Sequence, residues 1–352
     1  MKKSLIALAV LAASGSSFAQ VTIAGNLGFS FQQDPVIGAG GTHVQGMSLN
    51  DGELYVTAME DLGGGMSAVA KGGFTMRGRG TALADRDGFV MLNTPSGSFM
   101  AGAIRACGSL DAVKSGAVTG TVYSSNESNK FVPIDSCAIV DAVAYTLPKM
   151  GNVTLQALYG EFQSAISLFN SNSKGNTNGL TFYDLQATYA AAPLMIVGNA
   201  TFFSSKTTAT AALDGMTRGR LAATYDMGVA KLGAGYQFKS YGFADQYIAS
   251  VAIPAGNAVI GLDFMGRAAQ TAFTRSGTAE TTALISTAST LGSQANGDKA
   301  STAVGLGVTY NFSKLTNLNV SYITYTDAGA NTLTSTGSQL DTEWRIRLSK
   351  SF

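Results

Sequence analysis

From residue 21 to the last residue, short runs of the chain alternate apolar side chains with small or polar ones. A period of two fixes β-strand as the dominant structure. Val21, Ile23, Leu27, Phe29 and Phe31 are interleaved with Thr22, Ala24, Asn26, Gly28 and Ser30. Val304, Leu306, Val308, Tyr310 and Phe312 oppose Gly305, Gly307, Thr309 and Asn311. At the end, Trp344, Ile346, Leu348 and Phe352 oppose Glu343, Arg345, Arg347 and Ser349. The same pattern recurs near 54–58, 153–159, 183–189, 221–226, 231–239 and 318–322. Each run has about ten residues, the length a tilted strand needs to cross a bilayer.

The connections alternate short and long. Short ones fall at 61–65, 94–97, 148–151, 190–193, 226–228, 254–257 and 313–316. Long ones lie near 33–44, 77–86, 106–139, 163–180, 204–217, 239–243, 268–300 and 327–339. Seven short and eight long connections join sixteen strands, and an even count puts both chain ends on the short-turn side. Tight turns on one side and long loops on the other are the habit of a transmembrane antiparallel β-barrel. A soluble sandwich would bury its apolar face without that asymmetry. Pro35, Pro95, Pro133, Pro148, Pro193 and Pro254 all fall in or at the edge of connections, as a barrel without edge strands requires. Tyr159, Tyr189, Tyr225, Tyr310, Phe312 and Phe352 sit at strand ends on the apolar face, where interfacial girdles form.

Residues 1–20 read as a secretory signal: Lys2 and Lys3 precede an apolar stretch, and Ser17-Phe18-Ala19 forms a small-x-small cleavage pattern. Residues 21–352 then form one barrel domain. Without Lys2 and Lys3, the remaining 332 of 352 residues carry 21 basic and 22 acidic side chains, which gives no reason to expect a nucleic-acid partner. Charged residues make up only 13% of the chain, against disorder. No later apolar run reaches the length of a membrane helix.

Enzymatic chemistry finds no footing. The one histidine, His43, stands in a Gly-rich loop without an acid or nucleophile framed around it, so no serine–histidine–acid set assembles. Two cysteines and one histidine are too few for a typical structural zinc site. Gly63-Gly64-Gly65 lacks a lysine and precedes a strand, so it is a turn and not a phosphate loop. No cofactor is expected.

Residues 106–139 form a long connection without useful periodicity, and loops of that length inside an ordered domain are usually functional. It carries both cysteines, Cys107 and Cys137. In an exported chain they are expected to form one bridge, the alternative being two free thiols.

Two stretches go beyond pattern. Glu60-Asp61-Leu62-Gly63-Gly64-Gly65-Met66-Ser67-Ala68 resembles the EDLGGGLSA turn of the general porins of Gram-negative bacteria, beta-proteobacterial type. Residues 86–105 look like that family's following hairpin. The resemblance implies a homotrimer of sixteen-stranded barrels, each with its third loop, here 106–139, folded inward to narrow the pore. It also implies that the last strand, ending in Phe352, is read by the barrel-assembly machinery, and that the surroundings are outer-membrane lipid and lipopolysaccharide. The family pattern SRLGFRG before the turn is absent: Glu53 and Thr57 stand where its arginines would be.

Sixteen strands enclose a lumen too wide for side chains to fill, and passage then depends on the narrowest ring and its charges. The expected constriction comprises Glu53, Lys71, Asp263, Arg345 and Arg347 on the wall near mid-strand, and Asp111, Glu127 and Asp135 on the loop. Lys231, Arg218 and Arg267 lie nearer strand ends; Arg86 and Arg105 share parity with apolar neighbours, which points outside, but they sit near strand ends, where parity does not fix their orientation. The expected function is an outer-membrane channel for passive diffusion of ions and small hydrophilic solutes, with slight anion preference. The competing reading is an adhesin or structural barrel, with loops 106–139 and 268–300 as its binding surface.

Overall fold

The structure, a computed structural model, describes residues 20–34, 42–75, 84–106, 109–119, 138–161, 180–206, 214–238, 245–268, 301–326 and 342–352. Among them are sixteen strands: β1 (Gln20–Asp34), β2 (Val44–Gly63), β3 (Met66–Thr75), β4 (Ala84–Thr94), β5 (Gly97–Ala106), β6 (Ala138–Thr146), β7 (Val153–Glu161) and β8 (Leu180–Ala191). They continue with β9 (Leu194–Ser205), β10 (Thr217–Asp226), β11 (Lys231–Phe238), β12 (Gln246–Ala255), β13 (Ala258–Arg267), β14 (Ser301–Ser313), β15 (Thr316–Thr326) and β16 (Thr342–Ser351). Each pairs antiparallel with its neighbours in sequence, and β16 pairs with β1 to close the barrel. The strand count and the alternation of tight turns with long connections are those the sequence predicts.

The EDLGGG turn has a direct physical reason. The Asp61 carboxylate accepts the Gly63 N–H at 2.9 Å, and Gly63, Gly64 and Gly65 take φ of +76°, +62° and +78°. Three successive left-handed residues are open in practice only to glycine.

Two expectations change in detail. β1 and β2 run to 15 and 20 residues, with a register shift at Gly28/Phe29, so this hairpin is longer than a membrane crossing requires. Pro254 lies inside β12, but β11 stops pairing at Ala252, so the missing N–H interrupts no β11 ladder bond. β1 begins at Gln20, and residues 1–19, which make up most of the expected signal, lie outside the described residues.

The outer face is apolar and uncovered: Ile23, Leu221, Leu306 and Leu348 are all exposed, as side chains facing lipid should be. Aromatic pairs such as Phe31–Trp344, Tyr159–Tyr183 and Tyr310–Phe312 pack on it with ring centroids 5.4, 5.1 and 5.1 Å apart. The inner face is not uniformly polar. Val197, Ala222, Ile248, Met265, Ala303, Ile323 and Tyr325 form one buried cluster along β9–β15, together with Leu110, Val113 and Val118. Ile104, Val140, Ala142, Phe182, Phe203 and Met216 form a second across β5–β9 and the start of β10.

Candidate functional site

Residues 109–119 of the third long connection lie inside the barrel against β9–β15. The stretch opens with a short 3-10 helix, Ser109–Val113, and Asp111 pairs with Lys114 across one turn. Gly116, at φ +78°, turns the chain onward. Leu110, Val113 and Val118 fill the apolar seat on the wall.

Polar anchors follow in strand order. Ser109 Oγ donates to Asn199 Oδ1 on β9 at 2.9 Å, and Ser250 Oγ on β12 donates to the Val113 carbonyl. The Ser115 N–H donates to Asp263 Oδ1 on β13 at 2.9 Å. On β15, Asn319 Nδ2 donates to the Ala117 carbonyl at 2.7 Å, Thr119 Oγ1 donates to Asn319 Oδ1 and Ser321 Oγ to the Thr119 carbonyl.

Inward-facing glycines make room. A Cβ at Gly233 would meet the Val113 carbonyl, at Gly235 the Leu110 side chain, and at Gly307 the Ala117 carbonyl. These glycines, on the small-residue face of β11 and β14, let a second layer of backbone lie on the first.

The expected wall charges all face inward but are not equivalent. Asp263 is fully buried beneath residues 109–119 and holds them down; it does not face the open lumen. Arg345 is opposite Ser321 and Arg347 opposite Asn319, the two residues of β15 that grip the loop. Arg345 is buried there, while Arg347 is half-exposed. Glu53 is opposite Thr75 and Lys71 opposite Thr57, so they share one wall but lie four residues apart along β2, at 53 and 57. On the loop, Asp111 is engaged by Lys114. Glu127, Asp135, Cys107 and Cys137 lie outside the described residues. His43, exposed, contacts Gln33 Nε2 through Nδ1 at 3.0 Å. Arg105 faces outward, sharing parity with Phe99; the side chain of Arg86 is outside the described residues.

Besides Arg218, which the sequence placed in the lumen nearer a strand end, some lumenal groups were not singled out from the sequence. Arg220 on β10 is buried and donates from Nε to Gln237 Oε1 at 2.8 Å, and Arg218 stacks on the Phe203 ring at 5.6 Å. Asp184 accepts from Asn199 and Thr201 at 2.8 and 2.6 Å. Glu343 is buried and accepts from Tyr325 at 2.8 Å. The Arg218-Gly219-Arg220 spacing was a usable signal, since a period of two puts both arginines on one face.

The wall opposite the docked segment carries a different grouping. Lys71 Nζ sits 4.0 Å above the centre of the Tyr55 ring and 5.8 Å from that of Phe89. The Tyr55 hydroxyl donates to Asp87 Oδ1 at 3.0 Å.

Comparison with known proteins agrees with this architecture. A family model described as Gram-negative porin matches residues 5–349. No match was found among curated proteins. Among solved structures, a loop-deletion mutant of OmpT, an outer membrane protein of Vibrio cholerae, aligns with a TM-score of 0.58 at 14% identity, covering 95% of this chain and 99% of that one. A mutant of the Rhodopseudomonas blastica porin aligns with a TM-score of 0.59 at 12% identity, covering 95% of this chain and 100% of that one. At such identities the likeness is one of fold.

Proposed function

The chain belongs to the Gram-negative porins, and from that premise we propose how this outer-membrane channel is built and what its lumen favours. It passes ions and small hydrophilic solutes by passive diffusion. The observation that carries the reading is the docking of residues 109–119 along one half of the inner wall, by apolar packing and side-chain hydrogen bonds from β9 to β15. The inward loop leaves the wall of β16, β1, β2 and β3 to line the water path.

The constriction lies between that wall, with Glu53, Lys71, Arg345 and Arg347, and the loop, with Asp111, Glu127 and Asp135. Asp263 belongs to the loop anchor. Because Asp263 is covered and Asp111 is paired with Lys114, the half-exposed Lys71 and Arg347 tilt the balance toward anions. The preference is weak, since water at physiological salt screens charge over about 8 Å. The mature protein begins after a cleaved signal of residues 1–20, carries a Cys107–Cys137 bridge at the feet of the loop, and assembles as a homotrimer through the barrel-assembly machinery into outer-membrane lipid and lipopolysaccharide.

Single-channel recording in a planar bilayer tests the reading. Stepwise conductance with a small reversal potential toward chloride in a potassium chloride gradient is expected. Purified, folded protein that gives no conductance steps would overturn it.

A further inference from the structure

Lys71 differs from the arginines of the lumen. Arg220 is held by Gln237, and Arg345 and Arg347 adjoin the residues that grip the loop. The described contacts of the Lys71 ammonium are instead two ring faces, Tyr55 at 4.0 Å and Phe89 at 5.8 Å. Its register explains this. Lys71 pairs with Phe89 on β4 and with Thr57 on β2, and Tyr55 is the next inward residue along β2.

A ring face attracts a cation through its quadrupole without taking up the ammonium N–H donors, as a carboxylate would. Asp87, buried on β4, accepts a hydrogen bond from the Tyr55 hydroxyl and so fixes the ring beneath the lysine. Hydrogen bonding to a carboxylate also enriches the ring in electrons, which strengthens its hold on the cation. Among the described residues no carboxylate takes up its donors, so the ammonium is positioned with them toward the lumen, on the wall facing the docked segment. Phe89, half-buried beside it, presents an apolar surface.

We propose that Lys71, Tyr55 and Phe89 form a solute-binding subsite for small monocarboxylates that carry an apolar or aromatic body: Tyr55 holds the ammonium, the ammonium takes the carboxylate, and Phe89 takes the body. The proposal rests on the channel reading and adds to it a solute class that the pore retains briefly in transit. Asp87 acts as a positioning residue through Tyr55.

The test is conductance of the full mature protein in a planar bilayer, with sodium benzoate or sodium acetate added to one side of a potassium chloride bath. Each variant is normalised to its own chloride conductance. Benzoate is expected to reduce wild-type current saturably, with acetate needing a higher concentration because it lacks the ring. Lys71→Gln is expected to raise the half-blocking concentration of benzoate about tenfold, the scale of losing a hydrogen bond to a charged group. Lys71→Arg is expected to preserve the block, which separates loss of charge from damage to the fold. Tyr55→Phe, which cuts the link to Asp87, is expected to weaken benzoate block by a smaller factor.

Identical benzoate titrations in wild type and Lys71→Gln would overturn the subsite, as would a wild type that conducts chloride but shows no saturable block. Absence of chloride conductance would instead overturn the channel reading beneath it.

Discussion

Gly25 and Phe352 exchange both backbone hydrogen bonds at 3.0 Å, and the terminal ring lies across the face of the glycine. This contact joins the last residue to β1 at the seam where the barrel closes. A Cβ at Gly25 would stand 2.6 Å from Phe352 Cζ and 2.6 Å from the Glu53 carbonyl oxygen. Gly25→Val is therefore expected to destabilise the seam by about 1–3 kcal/mol, the usual cost of overpacking. The measurement is the folded fraction on unheated detergent gels after refolding. If Gly25→Val folds with wild-type yield and melting temperature, the ring does not cover that glycine.

Asp263 ties β13 to the loop through the Ser115 N–H. Asp263→Ala leaves the half-buried Ser115 N–H without its acceptor, which costs up to about 1–3 kcal/mol. Asp263→Asn keeps an acceptor oxygen and should cost less. With the anchor lost, single-channel recordings of Asp263→Ala should show larger current fluctuations than wild type or Asp263→Asn. Equal noise in all three would mean that the remaining anchors hold the loop alone.

Gly307 lies under the Ala117 carbonyl, which a Cβ would strike. Gly307→Leu should lift the loop from its seat and leave the strand ladder intact, because the clash is with the loop and not with β13 or β15. Because the loop would be pushed off β14 toward the opposite wall, mean conductance should fall while the circular dichroism spectrum stays that of a β protein. Unchanged conductance would show that residues 109–119 do not bound the narrow path.

Arg345 and Arg347 share a face of β16 and adjoin Ser321 and Asn319. Replacing both with alanine should move the reversal potential toward cations. It should also loosen the loop, because Asn319 and Ser321 would lose their neighbours at its landing point. A pore whose selectivity and noise are both unmoved would refute the charge arrangement on the last strand.

The alternation in β14 and β16, the turn chemistry at Asp61–Gly65 and the spacing of connections are local properties. They fixed the strand count, the side of the barrel that holds both chain ends and which residues face lipid before any contact was known. Two inner faces escaped that reading. Phe89, Met100 and Ile104 occupy inward positions, as do Val140 and Phe182, and apolar residues on both faces erase the period of two. What an inward residue meets depends on partners far away in the chain: Asp263 lies 148 residues from Ser115, and Asn319 lies 202 from Ala117. Parity said that Lys71, Asp263 and Arg345 point inward. Only the closed barrel, by bringing residues 109–119 against β9–β15, made Asp263 an anchor and set Arg345 opposite Ser321, which grips Thr119. It left Lys71 on its rings facing the water, because closure decides which inward positions a second layer of chain covers.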